Sequence, residues 1–411
     1  MDVVVERCAG LDVHKDTVMA CVRMPGEEGA RAEEVKEFGT TTNELLALRD
    51  WLTANGVTLA GMESTGVYWK PVYYVLEEAM ECWLLNARHL RNVPGRKTDL
   101  KDAQWIAQLV EHGLVRPSFV PPKPIRELRN LTRYRKAQIE ERGREAQRLD
   151  KVLQDAGVKL SSVATDILGK SGRDMLNALV RGTRDPEVLA ELARGKLRAK
   201  IPALREALLG RFSNHHALLV SSILAKLDFL EEIIGSLSEE IDRVIAPFGH
   251  HVERIVTIPG VDKRVAEALI AEVGVDMAVF GTPDRLASWA GMCPGNHESA
   301  GKQRSGRSRK GPKWLQACLT EAAKAAGRTK NTYSGSQYQR LRGRRGPAKA
   351  TKAVGHSILV AYFYIIQNEV PYRELGPDWF ARRRPEAQAR KLIRQLNVLG
   401  YAVSLTPIQA A

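Results

Sequence analysis

Residues 116–124 read Arg-Pro-Ser-Phe-Val-Pro-Pro-Lys-Pro, and this run divides the chain into two parts that cannot fold alike. Each proline fixes φ and removes a backbone donor, so neither a helix interior nor an inner strand can pass through it. It is a rigid joint and marks a domain boundary. Upstream, short β-prone runs alternate with amphipathic helix patterns. Downstream, from Ile125 to about Val244, helix formers dominate and β-like runs are few. The expected fold class is therefore α/β plus all-α.

In the upstream part, Val3–Val13 and Thr17–Met24 are β-prone and separated by a very short break, which predicts a hairpin. A third strand is expected around Glu34–Phe38. A helix over Thr41–Ala54 follows, with Leu45, Leu46, Leu48, Trp51 and Leu52 on its apolar face. Val57–Met62 reads as a strand, Tyr68–Met80 as a helix and Cys82–Leu85 as a strand. The last helix opens at Lys97-Thr98-Asp99-Leu100-Lys101-Asp102, where Thr98 is placed to cap it. The order is β-β-β-α-β-α-β-α.

Four acids fall at the ends of these elements. Asp12 closes the first strand and Glu63 the fourth, while Asp99 and Asp102 share a face in the first turn of the last helix. Sites in α/β sheets lie beyond strand ends, so the four can converge on one edge. Carboxylates gathered there repel one another unless a cation neutralises them, and hard oxygen donors suit Mg²⁺. The ordinary alternative is that acids favour first helical turns and that Asp12 and Glu63 cap turns.

Charge bears on what the downstream part binds. The chain carries 62 Lys+Arg against 48 Asp+Glu, a formal +14. Between Ser299 and Ala353 fifteen basic residues face the single acid Glu321, so one segment equals the whole chain's excess. Such concentration is the footprint of phosphate-backbone binding. Lys302, Arg304, Arg307, Arg309 and Lys310 open the segment in a Gly/Ser-rich loop. Ahead of it, Ile255–Gly274 resembles a helix-hairpin-helix, whose turn at Gly260, followed by Lys263, offers backbone N–H groups to phosphate. A serine in a cationic loop can attack phosphorus once its proton is removed, and Ser299, Ser305 and Ser308 all qualify on chemistry. His297 and Glu298 are adjacent candidate bases. His356 is expected at a helix start in a structural role.

The middle offers two further readings. Arg126, Arg129, Arg133, Arg135 and Lys136 can follow a nucleic-acid backbone or form a solvated helix face. Leu219–Val244 has near-heptad spacing, which fits a long helical hairpin, a coiled coil between subunits or internal bundle packing. Five scattered cysteines without C-x-x-C spacing argue against a zinc site or disulfide framework and for a reducing compartment. The best membrane candidate, Ile358–Ile366, is far shorter than the ~20 residues of a spanning helix, so a soluble protein without a membrane partner is expected.

The phrases Gly10-Leu11-Asp12, Met62-Glu63-Ser64-Thr65-Gly66-Val67-Tyr68 and Lys97-Thr98-Asp99-Leu100-Lys101-Asp102-Ala103, in this order, resemble the insertion-sequence transposases of family 110. The likeness runs over roughly the first 115 residues and resumes after residue 250. It implies a ribonuclease-H-like fold in its RuvC-like form, with Asp12, Glu63, Asp99 and Asp102 as catalytic ligands of Mg²⁺. It also selects Ser299, with Ser305 the runner-up, as the serine that becomes joined to DNA. Taken with the composition shifts, the expected domains are a RuvC-like domain at 1–116 and a helical, coiled-coil spacer at 117–250. A mainly helical serine transposase domain with a helix-hairpin-helix at 251–370 and a basic tail at 371–411 complete the chain.

The function this implies is a DNA transposase or recombinase of a mobile insertion sequence, working through a covalent phosphoserine–DNA intermediate. The implied partners are double-stranded DNA at element ends and target, a structured guide RNA (a bridge RNA encoded by the element) and further copies of the chain as a dimer or tetramer. The implied compartment is a bacterial or archaeal cytoplasm. A different reading keeps the acids and discards the serine: a RuvC-like metal-dependent structure-specific endonuclease in which water attacks. A third is a basic scaffold whose acids are structural.

Overall fold

The structure, a computed structural model, describes residues 3–27, 30–63, 66–86, 99–295, 297–299, 302–306, 308–383, 385–404 and 406, with backbone alone at 99–101, 297–299 and 302–305. The chain divides into two compact units, Met1–Val120 and Pro121–Ala411.

The first unit is built on a five-stranded sheet of β1 (Cys8–Val13), β2 (Thr17–Pro25), β3 (Arg31–Gly39), β4 (Leu59–Glu63) and β5 (Glu81–Leu85), in the order β3-β2-β1-β4-β5. The first three strands pair antiparallel, and β4 and β5 extend the sheet parallel to β1. Helices α1 (Thr42–Ala54), α2 (Trp69–Leu76) and α3 (Asp99–Glu111) complete it, so the order of elements is the one the sequence pattern predicts. The period-2 alternation of strands sorts the core into two layers. Ala9, Leu11, Ala60 and Met62 pack with Leu45, Leu48 and Leu52 of α1 and Leu76 of α2. On the other face Cys8, Leu59 and Leu85 pack with Ile106, Leu109 and Val110 of α3. Edge strand β3 exposes Glu33, Glu34, Lys36 and Glu37, charges that discourage pairing with another sheet.

The first strand is shorter than its β-prone run. Val4 and Val5 donate their N–H groups to the Glu111 carbonyl, at 2.9 and 3.1 Å, so this segment secures the end of α3 instead of entering the sheet.

Two glycines let α3 lie directly on the strands. A Cβ on Gly10 would stand 2.2 Å from both the Ala103 carbonyl oxygen and the Ala107 nitrogen, and one on Gly61 would stand 2.5 Å from Val110 Cγ2. Gly10→Ala must lift the helix, because the obstacles at Gly10 are backbone atoms. It is expected to destabilise the first unit by about 1–3 kcal/mol. Gly143→Ala, in a helix interior with open space around it, is expected to stabilise by about 0.5–1 kcal/mol. Paired urea titrations measure both, and equal midpoints would refute the packing account.

The second unit is mostly helical. Long helices α4 (Lys123–Asp155) and α9 (Asn214–Ile245) pair antiparallel, with Asp155 and His216 joined at one end and Arg142 and Glu231 bridged at 2.5 Å further along. Prolines inside the joint become useful here: Pro122 is the N-cap of α4 and Pro124 lies in its first turn, where no intrahelical N–H bond is lost. The near-heptad residues Leu227, Leu230 and Ile241 are buried within the same chain. Between the two long helices come α5 (Leu160–Val163), α6 (Lys170–Val180), α7 (Pro186–Glu191) and α8 (Ile201–Leu208), which bury Leu149, Leu153, Met175, Leu176, Leu204, Val220 and Leu224 in one cluster.

After α9 follow α10 (Gly249–Ile255), α11 (Lys263–Val273), α12 (Pro283–Trp289) and a short antiparallel hairpin, β6 (His297–Ser299) with β7 (Lys302–Ser305). Then come α13 (Lys313–Ala326), α14 (Tyr333–Arg345), α15 (Pro347–Asn368), α16 (Trp379–Arg382) and α17 (Pro385–Val398). Among the described residues, no helix is long and apolar enough to cross a membrane.

Candidate active site

β1 and β4 run parallel with Gly10 opposite Gly61 and Leu11 opposite Met62. One step further, this register sets Asp12 beside Glu63, with neighbouring strands about 4.8 Å apart. Side chains two apart on a strand share a face, so Asp12 follows Gly10, and Glu63 follows Gly61, onto the face that α3 covers. Helix α3 runs antiparallel to β1, since Glu111 meets Val4 and Val5 while Ala103 and Ala107 meet Gly10. From Gly10 to Asp12 is about 6.6 Å of strand, or about four residues of helix rise. That offset brings the start of α3, with Asp99 and Asp102, to the level of Asp12. Asp102 is half-buried; Asp99 opens the helix, and its side chain lies outside the described residues. Thr98 also lies outside them.

Asp12 is 6% exposed, and His14 Nε2 stands 3.1 Å from its Oδ2. Sequence patterning did not single out His14; its spacing of two from Asp12 was the available signal. The donor set here is carboxylate oxygen on a shared face, which fits a hard divalent cation such as Mg²⁺. The opposite end of α3 is held differently. Fully buried Glu111 accepts from Arg23 Nε at 2.9 Å and from Arg31 Nε at 2.7 Å.

In the second unit, Ser299 ends β6 and Lys302, Arg304 and Ser305 lie on β7; the side chains of these residues, of His297 and Glu298, and all of Arg307 lie outside the described residues. Sequence reading expected a Gly/Ser/basic loop, and the backbone forms a hairpin instead. Its exit is firmly placed. Lys352 donates to Ser308 Oγ at 2.7 Å, and a Cβ on Gly311 would stand 2.1 Å from the Ala290 carbonyl oxygen. Arg309 and Lys310, between these anchors, are exposed. Burial pushes the thiols of Cys8, Cys82 and Cys318 up to about 12 and Cys21 to about 11, and it raises that of Cys293, which disfavours their thiolate forms.

Gly260 has φ +84°, and a Cβ there would stand 2.4 Å from Ala326 N. Its missing side chain serves the close approach of α13. Asp262 caps α11 by accepting from Val265 N–H at 2.8 Å, and Lys263 bridges Asp242 at 2.7 Å. The close approach of α13 accounts for the glycine, and the ion pair of Lys263 with Asp242 is exposed to solvent.

The basic face of α4 is a correction. Arg129 donates to the carbonyls of Ala271 and Glu272, at 2.9 and 2.8 Å, where they end α11. Arg133 holds the Glu272 carboxylate with two bonds, at 2.6 and 2.7 Å. Arg135 meets buried Glu267 at 2.6 Å, and Lys136 meets Glu321 at 2.6 Å. These cations bind their own protein, neither a solvated face nor a phosphate track. His356 is likewise inside α15, not at a helix start.

Among the described residues one other group has ligand spacing: Asp155, His215 and His216, with donor atoms within 4.8 Å of one another. Its hydrogen bonds are structural. The Ser213 N–H donates to His216 Nδ1 at 3.1 Å, so Nε2 keeps its proton and donates to Asp155 at 3.0 Å. The pair ties α4 to α9.

The first unit thus carries acids at the ends of parallel strands, and the second carries concentrated positive charge. A transposase family model of the IS110 DEDD type matches residues 9–157, and the model of the transposase IS116/IS110/IS902 family matches residues 252–339. A probable family 20 transposase of Pseudomonas aeruginosa is 24% identical over 236 residues, which are 57% of this chain and 60% of that protein. The chain thus spans about three fifths of the curated relative it matches. It belongs to the IS110 family of transposases. The first match contains all four acids and the second contains Ser299, and the DEDD family implies a divalent metal.

Proposed function

We propose that this chain is the recombinase of a mobile insertion sequence, cutting and rejoining DNA strands with Mg²⁺ through a covalent phosphoserine link. The observation that supports this most is the register of β1 and β4, with Asp12 and Glu63 side by side under the first turn of α3. Asp12, Glu63, Asp99 and Asp102 hold the cation. When bound, it neutralises charge on the scissile phosphate. Ser299 Oγ attacks phosphorus: an Oγ–P bond forms, the P–O bond to the departing sugar breaks, the serine proton passes to a base and the sugar oxygen takes one up. Attack by another sugar hydroxyl reverses the step and rejoins the strand. Lys302, Arg304, Arg307, Arg309 and Lys310 hold the backbone around the break.

The acids and Ser299 belong to separate compact units, so this reading requires both to reach one phosphate, from one chain or from two copies in a dimer or tetramer. A structured RNA encoded by the element supplies target choice, in keeping with the ample basic surface. The domain division at 1–116, 117–250, 251–370 and 371–411, with a RuvC-like first domain, a helical spacer and a helix-hairpin-helix in the third, belongs to the same proposal.

The test is to incubate the protein with labelled element-end DNA and Mg²⁺, denature, and look for a labelled protein band. Wild type is expected to give the adduct and Ser299→Ala none. Cleavage by Ser299→Ala at the wild-type rate, without adduct in either protein, would establish water as the nucleophile and the endonuclease reading in place of this one.

A further inference from the structure

Some cations of the second unit are neutralised within it: on α4, Arg133, Arg135 and Lys136 pair with acids of α11 and α13. Residues 324–352 hold nine basic residues and no acid. Three of the nine, Lys324, Arg328 and Arg342, line one cavity of about 390 Å³, and no acid pairs with any of them among the described residues. The remainder of its wall is Gly327, Tyr338 and Gln339 with Pro347, Ala348 and Thr351 from the N-terminal part of α15. The shape is set by packing. A Cβ on Gly327 would stand 2.7 Å from Tyr338 Cγ, so the tyrosine ring lies against that glycine and holds α14 to the end of α13.

All three are exposed and line one cavity, so their like charges sum there to a positive potential that attracts an anion. α15 is 22 residues long and begins without a side-chain cap, so its N-terminal dipole adds to the same potential. Lys352, next to Thr351 of the wall, is the residue that donates to Ser308.

We propose that this cavity seats a backbone phosphodiester of the nucleic acid on which the chain acts, at a place separate from the Ser299 hairpin. The inference rests on the functional reading above. Arg342 lies in the last turn of α14, where a cation also offsets the helix dipole. That role would appear as lost stability with unchanged affinity.

The experiment measures binding of the full chain to a labelled DNA duplex and, separately, to a labelled RNA hairpin, over a series of salt concentrations. Arg328→Gln/Arg342→Gln is compared with Lys151→Gln/Arg181→Gln, which removes equal charge from the α4–α9 region. The pocket variant is expected to lower the slope of log affinity against log salt by about 2 and to bind at least roughly tenfold more weakly, with its melting temperature kept. The control is expected to keep the wild-type slope. Loss confined to the duplex identifies the phosphate as DNA's, and loss confined to the hairpin as RNA's. Equal losses in both variants, or a wild-type slope in the pocket variant, would overturn the proposal. Wild-type protein that binds neither probe would instead reject the functional reading itself.

Discussion

Asp12→Asn is expected to slow Mg²⁺-dependent strand cleavage roughly 10³-fold, a barrier increase of about 4 kcal/mol. Asparagine has nearly the volume of aspartate, and its amide oxygen can still accept from His14, which stands 3.1 Å from the Asp12 carboxylate. The sheet therefore has no reason to rearrange. What disappears is one negative charge beside Glu63, in a position only 6% exposed where water screens little. The effect belongs to cation binding and charge stabilisation at the phosphate, not to folding. Single-turnover cleavage of a labelled duplex, with melting curves alongside, separates the two. Asp16→Asn, on an exposed position four residues on, is expected to match wild type. A cleavage rate for Asp12→Asn within about threefold of wild type would remove Asp12 from the ligand set.

Glu111→Ala is expected to cost the first unit about 3–5 kcal/mol. The carboxylate is fully buried and shared between Arg23 and Arg31, whose side chains are 11% and 20% exposed. Removing it strands two guanidinium groups with too little water to compensate. Glu33 still meets Arg23, and the Glu6 carbonyl still accepts from Arg31 at 2.5 Å, which keeps the loss from being larger. Asp50→Ala, which breaks an exposed pair with Arg49, is expected to cost no more than about 1 kcal/mol. Urea unfolding measures each. Arg23→Ala/Glu111→Ala should lose less than the sum of the single changes, because one group no longer waits for the other. The substitution has a second consequence. Glu111 holds the far end of the helix that begins with Asp99 and carries Asp102, so the variant is expected to need more Mg²⁺ for half-maximal cleavage. An unchanged requirement would mean that the two ends of α3 are independent.

Local pattern carried the first unit well. The β-prone runs Val3–Val13 and Val57–Met62 placed strands, the Leu45–Leu52 stripe placed α1, and acids at element ends marked an edge before any register was known. Pattern failed where a residue's partner is remote. Arg133 finds Glu272 across 139 positions and Arg129 finds Ala271 across 142, distances that no helical or strand period encodes. On α4 alone these side chains looked equally suited to solvent and to phosphate. The hairpin at 297–305 was missed for another reason: two short strands of polar and charged residues give no apolar alternation to read.

By itself the sequence determined the order of the elements, the proline division between an α/β part and a helical part, and the gathering of positive charge after Ser299. These follow from local sterics, side-chain period and composition, which act within a few residues. Only the tertiary structure decided that Asp12 stands beside Glu63 and that α3 rests on two glycines, because strand register and close approach are set by packing across the whole sheet. It also decided which cations are spent inside the protein and which stay open, since Coulomb attraction depends on distance in space and not along the chain.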